Sequence, residues 1–418
     1  MVKQFDAASW RESLLSRARF DLSRFAAERA AVAEICERVR TEGDAALHDL
    51  GRRFEGWAPA AGESFEVALE RESERIDAAD RDALEFAAGR IREFHEHQRP
   101  MQSEGGSLRL LTRPVGSAGL YAPGGRAAYP STVLMAAIPA RVAGVERVVL
   151  ATPPRADGTI PPAILAAARI AGVDAIYRVG GAQAIAALAY GTETIPRVDV
   201  VAGPGNIYVT LAKREVFGAV GVDGIAGPTE VVVLADGGAR PDFVAADLAA
   251  QLEHDPMAWG VLVTDSDRLA ARAVEELEDL LRDLERAQII RQANCCVILV
   301  SDMDEALRVV DDFAPEHLLI VAADAESLST RVRNAGAIFV GPYATVPLGD
   351  YTAGPNHTLP TGGAARYASP LGVHTFLKRT SVLNLSRGDL RHLRDATVRL
   401  AALEGLGAHA HAVDVRLE

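Results

Sequence analysis

The sequence predicts an α/β protein built on two parallel sheets. Two stretches, one following residue 105 and one following residue 229, alternate short β-rich runs with Ala-rich helical runs. Such alternation is typical of βαβ units, in which helices cover a parallel sheet. The chain has 418 residues, 49% hydrophobic and 24% charged, which is enough for two or three domains with full cores.

The first hundred residues are predicted to be helical. Residues 26–43 and 77–97 show helical periodicity with abundant Ala, Glu and Arg, and N-cap candidates precede both. His95 and His97 lie two positions apart, so they belong to different faces of the second helix. We expect both histidines on the solvated surface.

The alternating runs set the order of the remaining elements. Turn residues separate the runs, and each helical run is followed by a run of β-branched residues. Strands are expected at 115–121, 147–153, 175–179 and 198–203, and then at 230–236, 259–265, 296–300, 317–321 and 337–341. Helices are expected at 131–144, 161–172, 181–191 and 205–218, and then at 241–255, 267–287 and 303–313.

The last eighty residues depart from this pattern. Residues 341–370 form a predicted long loop, which we interpret as functional because Tyr, Leu, Asp and His stand among its Gly and Pro. A helix at 389–405 and a strand-like run at 411–418 follow. This tail has too little core to fold alone, so we expect it to dock on the body or on another subunit.

Charge and cysteine content exclude several classes of protein. A net charge of −13 argues against nucleic acid and anionic membranes as main partners. No apolar run approaches a membrane span, and the N-terminus carries charges where a signal peptide needs an apolar core. Cys36, Cys295 and Cys296 build no disulfide framework and fit a reducing compartment, so we expect a cytoplasmic protein. Cys295 and Cys296 start an apolar strand and are interpreted as structural.

A Glu–His pair is a candidate for proton transfer. Glu316 and His317 open the predicted strand 317–321 and supply two bases of different strength. A solvated pair at a helix-to-strand junction is an equally good interpretation of these two residues.

A metal site is a second candidate. In a helix, Gln251 and His254 share one face while Glu253 points elsewhere. Together with Asp350 and a C-terminal His they would make an N2O2 set, which suits zinc. The wide spacing leaves open a plain helix end that binds nothing.

Glycine turns suggest a nucleotide cleft of a non-standard type. The G-x-G-x-x-G motif does not occur after any predicted strand. YAPGG from residue 121, VGGAQ from residue 179 and GPGNIY from residue 203 all follow predicted strands. Each alone is ordinary turn chemistry. Three such turns on one side of a parallel sheet favour a binding cleft.

Eight motifs occur in one order along the chain: GLYAPGGRAAYPSTVLM, VGGAQAIAALAYGTETIP, VAGPGNIYVTLAKREVFG, AGPTEVVVLAD, QLEHDP, APEHL, GDYTAGPNHTLPTGG and EGLGAHA. With these motifs the chain, from about residue 20 to the end, closely resembles the histidinol dehydrogenase family. The resemblance implies a zinc- and NAD-dependent enzyme that oxidises L-histidinol through L-histidinaldehyde to L-histidine, reducing two NAD.

The same resemblance implies the site residues. Glu316 and His317 would be the acid–base pair, with His317 taking the alcohol proton and Glu316 activating the water that hydrates the aldehyde. The zinc ligands would be Gln251, His254, Asp350 and His409. The ligands and His317 would also contact substrate, together with Thr229, His357 and Glu404. Cofactor contacts would be Tyr121, Gln183 and Asn206.

The resemblance also implies the domain organisation. Residues 1–110 would be a helical N-terminal region, 111–225 the NAD-binding domain and 226–375 the zinc and catalytic part, with incomplete Rossmann-like sheets. Residues 376–418 would be a dimerisation tail that completes the site of the other subunit in a homodimer. The choice of His409 rests on the motif, because His411 could share its face of a strand. The alternatives are a paralogous dehydrogenase of another small alcohol, a zinc hydrolase that never uses NAD, and a catalytically silent binding protein, which the presence of both Glu316 and His317 disfavours.

Overall fold

Two six-stranded sheets organise most of the chain in a computed structural model, which describes residues 2–14, 22–60, 62–69, 76–100, 106–124 and 128–418. Both sheets belong to one unit, formed by Met1–Arg99 and Val115–Phe376. A second unit is formed by Pro100–Pro114 and Leu377–Glu418.

The strands are numbered in chain order. They are β1 (Lys3–Asp6), β2 (Glu66–Val67), β3 (Leu108–Pro114), β4 (Ser117–Tyr121), β5 (Arg147–Thr152), β6 (Ala175–Arg178), β7 (Val200–Ala202), β8 (Gly221–Val222), β9 (Glu230–Ala235), β10 (Trp259–Thr264), β11 (Asn294–Leu299), β12 (His317–Val321), β13 (Ala337–Val340) and β14 (Leu377–Leu383).

The α-helices are numbered in the same way. They are α1 (Ala7–Leu14), α2 (Ala26–Glu42), α3 (Asp44–Phe54), α4 (Ala78–Glu96), α5 (Pro130–Ala143), α6 (Pro162–Ala171), α7 (Gly181–Tyr190), α8 (Ile207–Val216), α9 (Pro241–Leu252), α10 (Asp267–Leu280), α11 (Ala287–Gln292), α12 (Met303–Phe313), α13 (Ala325–Ser329), α14 (Val346–Tyr351), α15 (Arg387–Leu403) and α16 (Gly407–Asp414).

Sheet I has the strand order β2-β6-β5-β4-β7-β8. Its strands pair in parallel except β2, which runs antiparallel to β6. From β6 to β8 this is the Rossmann order 3-2-1-4-5, which reverses direction between β4 and β7. The central strands are apolar and buried, as expected when helices cover both faces of a parallel sheet.

Sheet II has the order β1-β11-β10-β9-β12-β13 and is entirely parallel. From β11 to β13 it repeats the order of sheet I, so the predicted α/β class with two parallel sheets is confirmed. The edge strand β1 comes from the N-terminus, in a region predicted to be helical. Its four residues, KQFD, alternate too briefly to signal a strand, and their pairing with β11 makes them one.

The two predicted N-terminal helices are present as α2 and α4. Asp77 caps α4, accepting a hydrogen bond from the Asp80 amide. The surface prediction for His95 is wrong. Its side chain is fully buried with Nδ1 2.8 Å from the Ile91 carbonyl oxygen, because it lies one turn after Ile91 on the inward face of α4. His97 is exposed, as predicted.

Two C-terminal predictions also need correction. The predicted loop 341–370 contains the helix α14 and a 3-10 turn, Ala364–Arg366. The expected strand 411–418 is instead helical as far as Asp414, because α16 begins in the Ala-rich run after Gly405 and packs on α15. In the second unit, β14 pairs antiparallel with β3, and a Ser386–Asp389 capping box starts α15.

Candidate active site

The candidate site lies at the amino ends of two neighbouring strands. β9 and β12 are parallel, with His317 opposite Val231, so the residues that begin them share one edge of sheet II. The turn after α12 passes through Ala314 in the left-handed region and delivers Glu316 and His317 to that edge. Thr229 arrives there just before β9.

Glu316 is held by two donors from the start of β9. Its Oε2 accepts hydrogen bonds from the Thr229 hydroxyl at 2.5 Å and from the Glu230 amide at 2.9 Å. The side chain is buried. These two bonds fix the direction of the carboxylate.

His317 is oriented so that one ring nitrogen remains available. Its Nδ1 lies 3.1 Å from the Glu230 carbonyl oxygen, which can only accept, so Nδ1 carries the hydrogen. Nε2 is then the basic nitrogen, 3.9 Å from Asp350 Oδ1. Burial alone would lower the pKa of His317, but the carboxylates of Glu316 and Asp350 outweigh it and the pKa is raised. The ring is therefore a base whose protonated form the site stabilises.

Gln251 reaches the same edge from helix α9, which returns across the sheet. Its Nε2 donates to the Thr229 hydroxyl, and its Oε1 is buried without a hydrogen-bond partner among the described residues. His254 is exposed and follows two residues after α9 ends at Leu252. The predicted helix 241–255 therefore ends three residues early, so the helical argument for placing Gln251 and His254 on one face does not extend to His254.

The segment around α14 completes this side of the site. Asp350 lies in α14, and its carbonyl oxygen is 2.9 Å from His357 Nδ1. Burial lowers the pKa of His357, against the opposing charge of Asp350. Asn356 donates to the Met135 carbonyl of α5 at 2.6 Å, which anchors the segment.

The predicted metal ligands that belong to the first unit have donor atoms suited to a metal ion. Among the described residues, no three of His, Cys, Asp or Glu lie close enough to hold a metal ion. The predicted set contains only two such residues in this unit, His254 and Asp350, because its third member is Gln251. A metal would satisfy the unpartnered amide oxygen of Gln251.

The remaining predicted residues belong to the second unit. Glu404 follows α15 and His409 lies in α16, and both are exposed. In a helix, His409 and His411 point about 200° apart. The expectation that the two could share one face of a strand is therefore wrong.

Glu230 is a site residue that the sequence reasoning missed. Its carboxyl group is buried: Oε1 accepts from the Gly362 amide at 3.1 Å, and Oε2 has no hydrogen-bond partner among the described residues. Burial, and then the charge of Glu316, raise the pKa of Glu230 well above its usual range. A glutamate that opens the otherwise apolar strand EVVVLA was the available signal.

The predicted cofactor residues lie at the carboxyl edge of sheet I. Tyr121 ends β4, and its hydroxyl accepts from the Gly181 amide at 3.1 Å. Gln183 is buried in α7, and Asn206 caps α8 by accepting from the Tyr208 and Val209 amides. The structure brings Tyr121 and Gln183 together and places Asn206 after the neighbouring strand β7.

Comparison with known proteins decides the family. A family model described as histidinol dehydrogenase matches residues 19–417. The chain belongs to the histidinol dehydrogenase family. This membership makes it an NAD-dependent oxidoreductase and connects it to histidine biosynthesis, as the resemblance implied.

Individual histidinol dehydrogenases match more than nine-tenths of the chain. One from Geobacillus kaustophilus is 49% identical over 399 residues, 94% of each chain. One from Synechococcus is 49% identical over 398 residues, 93% of this chain and 92% of the relative. The crystal structure of the Elizabethkingia anophelis enzyme has a TM-score of 0.87 at 33% identity, covering 95% of this chain and 92% of its own.

A wider likeness concerns the fold alone. An acetylating aldehyde dehydrogenase from Geobacillus thermoglucosidasius has a TM-score of 0.51 at 15% identity, covering 86% of this chain and 92% of its own. Among the described residues of this histidinol dehydrogenase family member, no helix has the length and apolar character needed to cross a membrane.

Proposed function

We propose that the protein oxidises L-histidinol through L-histidinaldehyde to L-histidine in two successive NAD-dependent steps. The observation that carries this proposal is the hydrogen-bonded group Gln251–Thr229–Glu316 beside His317. It joins an unpartnered amide oxygen, suited to a metal, to a buried carboxylate and an imidazole with a free Nε2. A metal-anchored alcohol next to two bases is what a four-electron oxidation of this kind needs.

His317 and Glu316 divide the proton transfers. His317 Nε2 takes the proton of the alcohol, and the nearby carboxylates stabilise the imidazolium that results. Glu316 then activates the water that hydrates the aldehyde, which creates the hydroxyl needed for the second oxidation. Bound NAD supplies the hydride acceptor in each step.

Zinc is assigned to Gln251, His254, Asp350 and His409. A neutral amide oxygen leaves more net positive charge on the metal than a carboxylate would. Bound zinc supplies a template that anchors the substrate. Thr229, His357 and His317 complete the substrate contacts, and the Glu404 carboxylate suits a cationic amine.

NAD is assigned to the carboxyl edge of sheet I, where the strand order reverses between β4 and β7. Ligands of open α/β sheets bind at such a switch point. Tyr121, Gln183 and Asn206 offer uncharged hydrogen-bonding groups there. Residues 111–225 are accordingly assigned to NAD binding, 226–375 to zinc and catalysis, and 1–110 to an N-terminal region that supports them.

The second unit is assigned to a homodimer with shared active sites. Large apolar side chains of this unit are exposed, which is typical of a surface that a second copy covers. They are Leu108, Leu383, Leu393, Leu400, Leu403, Leu406 and Val415. Residues 376–418 would then bring Glu404 and His409 to the partner's site. Free Cys36, Cys295 and Cys296 fit a reducing cytoplasm.

The first experiment measures NADH formed per L-histidinol consumed, run to completion with added zinc and again after chelation. Two NADH per substrate, lost on chelation and restored by zinc, is the expected result. One NADH would mean that the reaction stops at the aldehyde and would remove the role given to Glu316. No NADH from histidinol, but NADH from another small alcohol, would favour a paralogous dehydrogenase.

A further inference from the structure

A carboxylate from the N-terminal helical region reaches the proposed cofactor edge of sheet I. Glu55 caps the C-terminus of α3, and its Oε1 accepts from the Gly180 amide at 2.6 Å. The same oxygen accepts from Gln183 Nε2 at 3.1 Å. Glu55 therefore holds both the turn that starts α7 and one of the proposed NAD contacts.

The glycines of the VGGAQ motif make room for this carboxylate. A Cβ on Gly180 would lie 2.8 Å from Glu55 Oε1 and 2.5 Å from Pro153 Cβ, both closer than real Cβ contacts. A helix N-terminus has free amide donors and a positive potential, so it attracts anions. In a Rossmann-like sheet such an end can hold a cofactor phosphate. Here a carboxyl group of the protein itself, that of Glu55, already occupies this end.

The same turn also fixes the second proposed contact. The Gly181 amide donates to the Tyr121 hydroxyl at 3.1 Å, so Tyr121 and Gln183 are both bound to one short turn. Burial raises the pKa of Tyr121 to about 12, and the charge of Glu55 adds to this shift. The hydroxyl therefore stays protonated and keeps a hydrogen to donate to a ligand.

We propose that Glu55 is a positioning residue of the NAD site: it orients the Gln183 carboxamide and closes the N-terminus of α7 to the cofactor's phosphates. With Nε2 bound to Glu55, the amide oxygen of Gln183 is the group left for the cofactor. The phosphates then belong to the neighbouring turn after β7, at Gly203–Asn206. This inference rests on the proposed assignment of NAD to sheet I.

The test compares the KM values for NAD and for L-histidinol in the full-length enzyme, the variants Glu55→Ala and Glu55→Gln, and a control. Glu193→Ala is the matched control. Glu193 also anchors α3, because its carboxylate accepts a hydrogen bond from the Asp44 amide at the opposite end of the helix. Glu55→Ala should raise the KM for NAD about tenfold, the effect of losing about 1.4 kcal/mol of binding. Its kcat and its KM for histidinol should stay within about twofold.

Glu55→Gln separates hydrogen bonding from charge. The glutamine oxygen can still accept from Gly180 and Gln183, so this variant should keep the wild-type KM for NAD, as should Glu193→Ala. An unchanged KM for NAD in Glu55→Ala would overturn the proposal. So would an equal rise in both KM values, or the same rise in Glu193→Ala, since either would show general loosening.

Failure of the proposed reaction can be told apart from failure of this inference. If the wild type forms no NADH from histidinol, the proposed function is wrong and the KM values of the variants cannot be compared. Fluorescence titration of the same four proteins with NADH then decides. A Kd about tenfold weaker in Glu55→Ala alone supports the positioning role, and equal Kd values overturn it.

Discussion

The two sheets share one strand order but place their polar side chains at opposite edges. In sheet II the candidate catalytic residues lie at the amino ends of β9 and β12. In sheet I the proposed cofactor residues lie at the carboxyl ends of β4 and β7. The second arrangement follows the usual rule for open α/β sheets, and the first does not.

The carboxyl ends of the strands show why. In sheet II the corresponding crevice is occupied by Asp236, whose Oδ1 accepts from the Gly238 amide at 2.8 Å and whose Oδ2 accepts from the Ala323 amide at 2.7 Å. This carboxylate bridges the turns after β9 and β12. The repeated strand order therefore provides a crevice at the carboxyl ends of both sheets. The side chain that follows the first strand of that order, Asp236 after β9, determines whether the crevice can accept a ligand.

In sheet I the turn that borders the crevice is fixed in a different way. Gly203 follows β7 with φ of 120°, and its backbone is held from behind by a buried ion pair. Asp223 accepts from the Gly203 amide at 2.8 Å, and Lys213 donates to the Gly203 carbonyl. The residue that follows β4 is Ala122, which has no carboxylate to bridge the turns after β4 and β7 as Asp236 does in sheet II.

The largest expected effect comes from removing the base at the amino edge of sheet II. His317→Ala should lower kcat with L-histidinol by about 10³-fold, the scale of general-base catalysis, while leaving bound zinc unchanged. Steady-state kinetics and metal analysis by atomic emission measure the two quantities. His374→Ala, at an exposed histidine, is the control. A kcat within tenfold of the wild-type value would show that a residue other than His317 is the general base.

The next effect concerns the metal at the same edge. Gln251→Ala should weaken zinc binding by about 10²-fold, since it removes a direct ligand of the metal. Activity should return at high zinc concentration. Competition with a fluorescent chelator gives the affinity. Gln292→Ala, at the end of α11 and exposed, should bind zinc like the wild type. Unchanged affinity in Gln251→Ala would remove this residue from the ligand set.

A smaller effect distinguishes the two carboxyl edges directly. A Cβ on Gly203 would collide with the Tyr121 carbonyl oxygen, so Gly203→Ala should raise the KM for NAD about tenfold and cost roughly 2 kcal/mol of stability. Asp236→Ala should cost about 1 kcal/mol and leave the KM for NAD unchanged.

Urea unfolding and NAD kinetics measure both variants. Gly224→Ala, where a Cβ meets nothing within 4 Å, is the control for the glycine change. If Asp236→Ala raised the KM for NAD as much as Gly203→Ala does, the assignment of NAD to sheet I would be wrong.

The smallest effect on activity is expected for Glu55→Gln, at the edge of sheet I, where the change is a pH dependence of stability. Burial raises the pKa of Glu55 from 4.5 to about 7 in the folded protein. Between these values the folded state keeps a proton that the unfolded state loses, so stability falls as pH rises. Glu55→Gln cannot ionise. It should therefore nearly match the wild type at pH 4.5 and exceed it by up to about 3 kcal/mol at pH 8, since each unit of pKa difference corresponds to about 1.4 kcal/mol.

Urea titrations across this pH range give the difference. In sheet II, burial and the neighbouring charge of Glu316 raise the pKa of Glu230 well above its usual range. Glu230→Gln should therefore become more stable than the wild type as the pH rises, over a pH range that extends higher than the range for Glu55→Gln. A constant difference between wild type and Glu55→Gln from pH 4.5 to 8 would contradict the prediction.

Prediction from sequence succeeded where the signal is local. The helices α2 and α4 follow from periodicity within their own residues, and Asp77 gave the start of α4. Prediction failed where contact with a distant element determines the structure of a residue. β1 is a strand because β11 pairs with it, and His95 is buried because α4 turns that face inward.

The sequence by itself determined the α/β class, the order of the main strands and helices in the two alternating stretches, and the family, and it nominated the residues proposed to carry the chemistry. These follow from short-range periodicity, turn residues and motifs, all of which are contained within a few consecutive turns of chain. Only the tertiary structure decided which polar atoms meet. Thr229 contacts Gln251, 22 positions away, and Glu316, 87 positions away. Those contacts depend on the parallel register of β9 and β12 and on the return of α9, because a side chain's partners are set by packing between elements rather than by its neighbours in sequence.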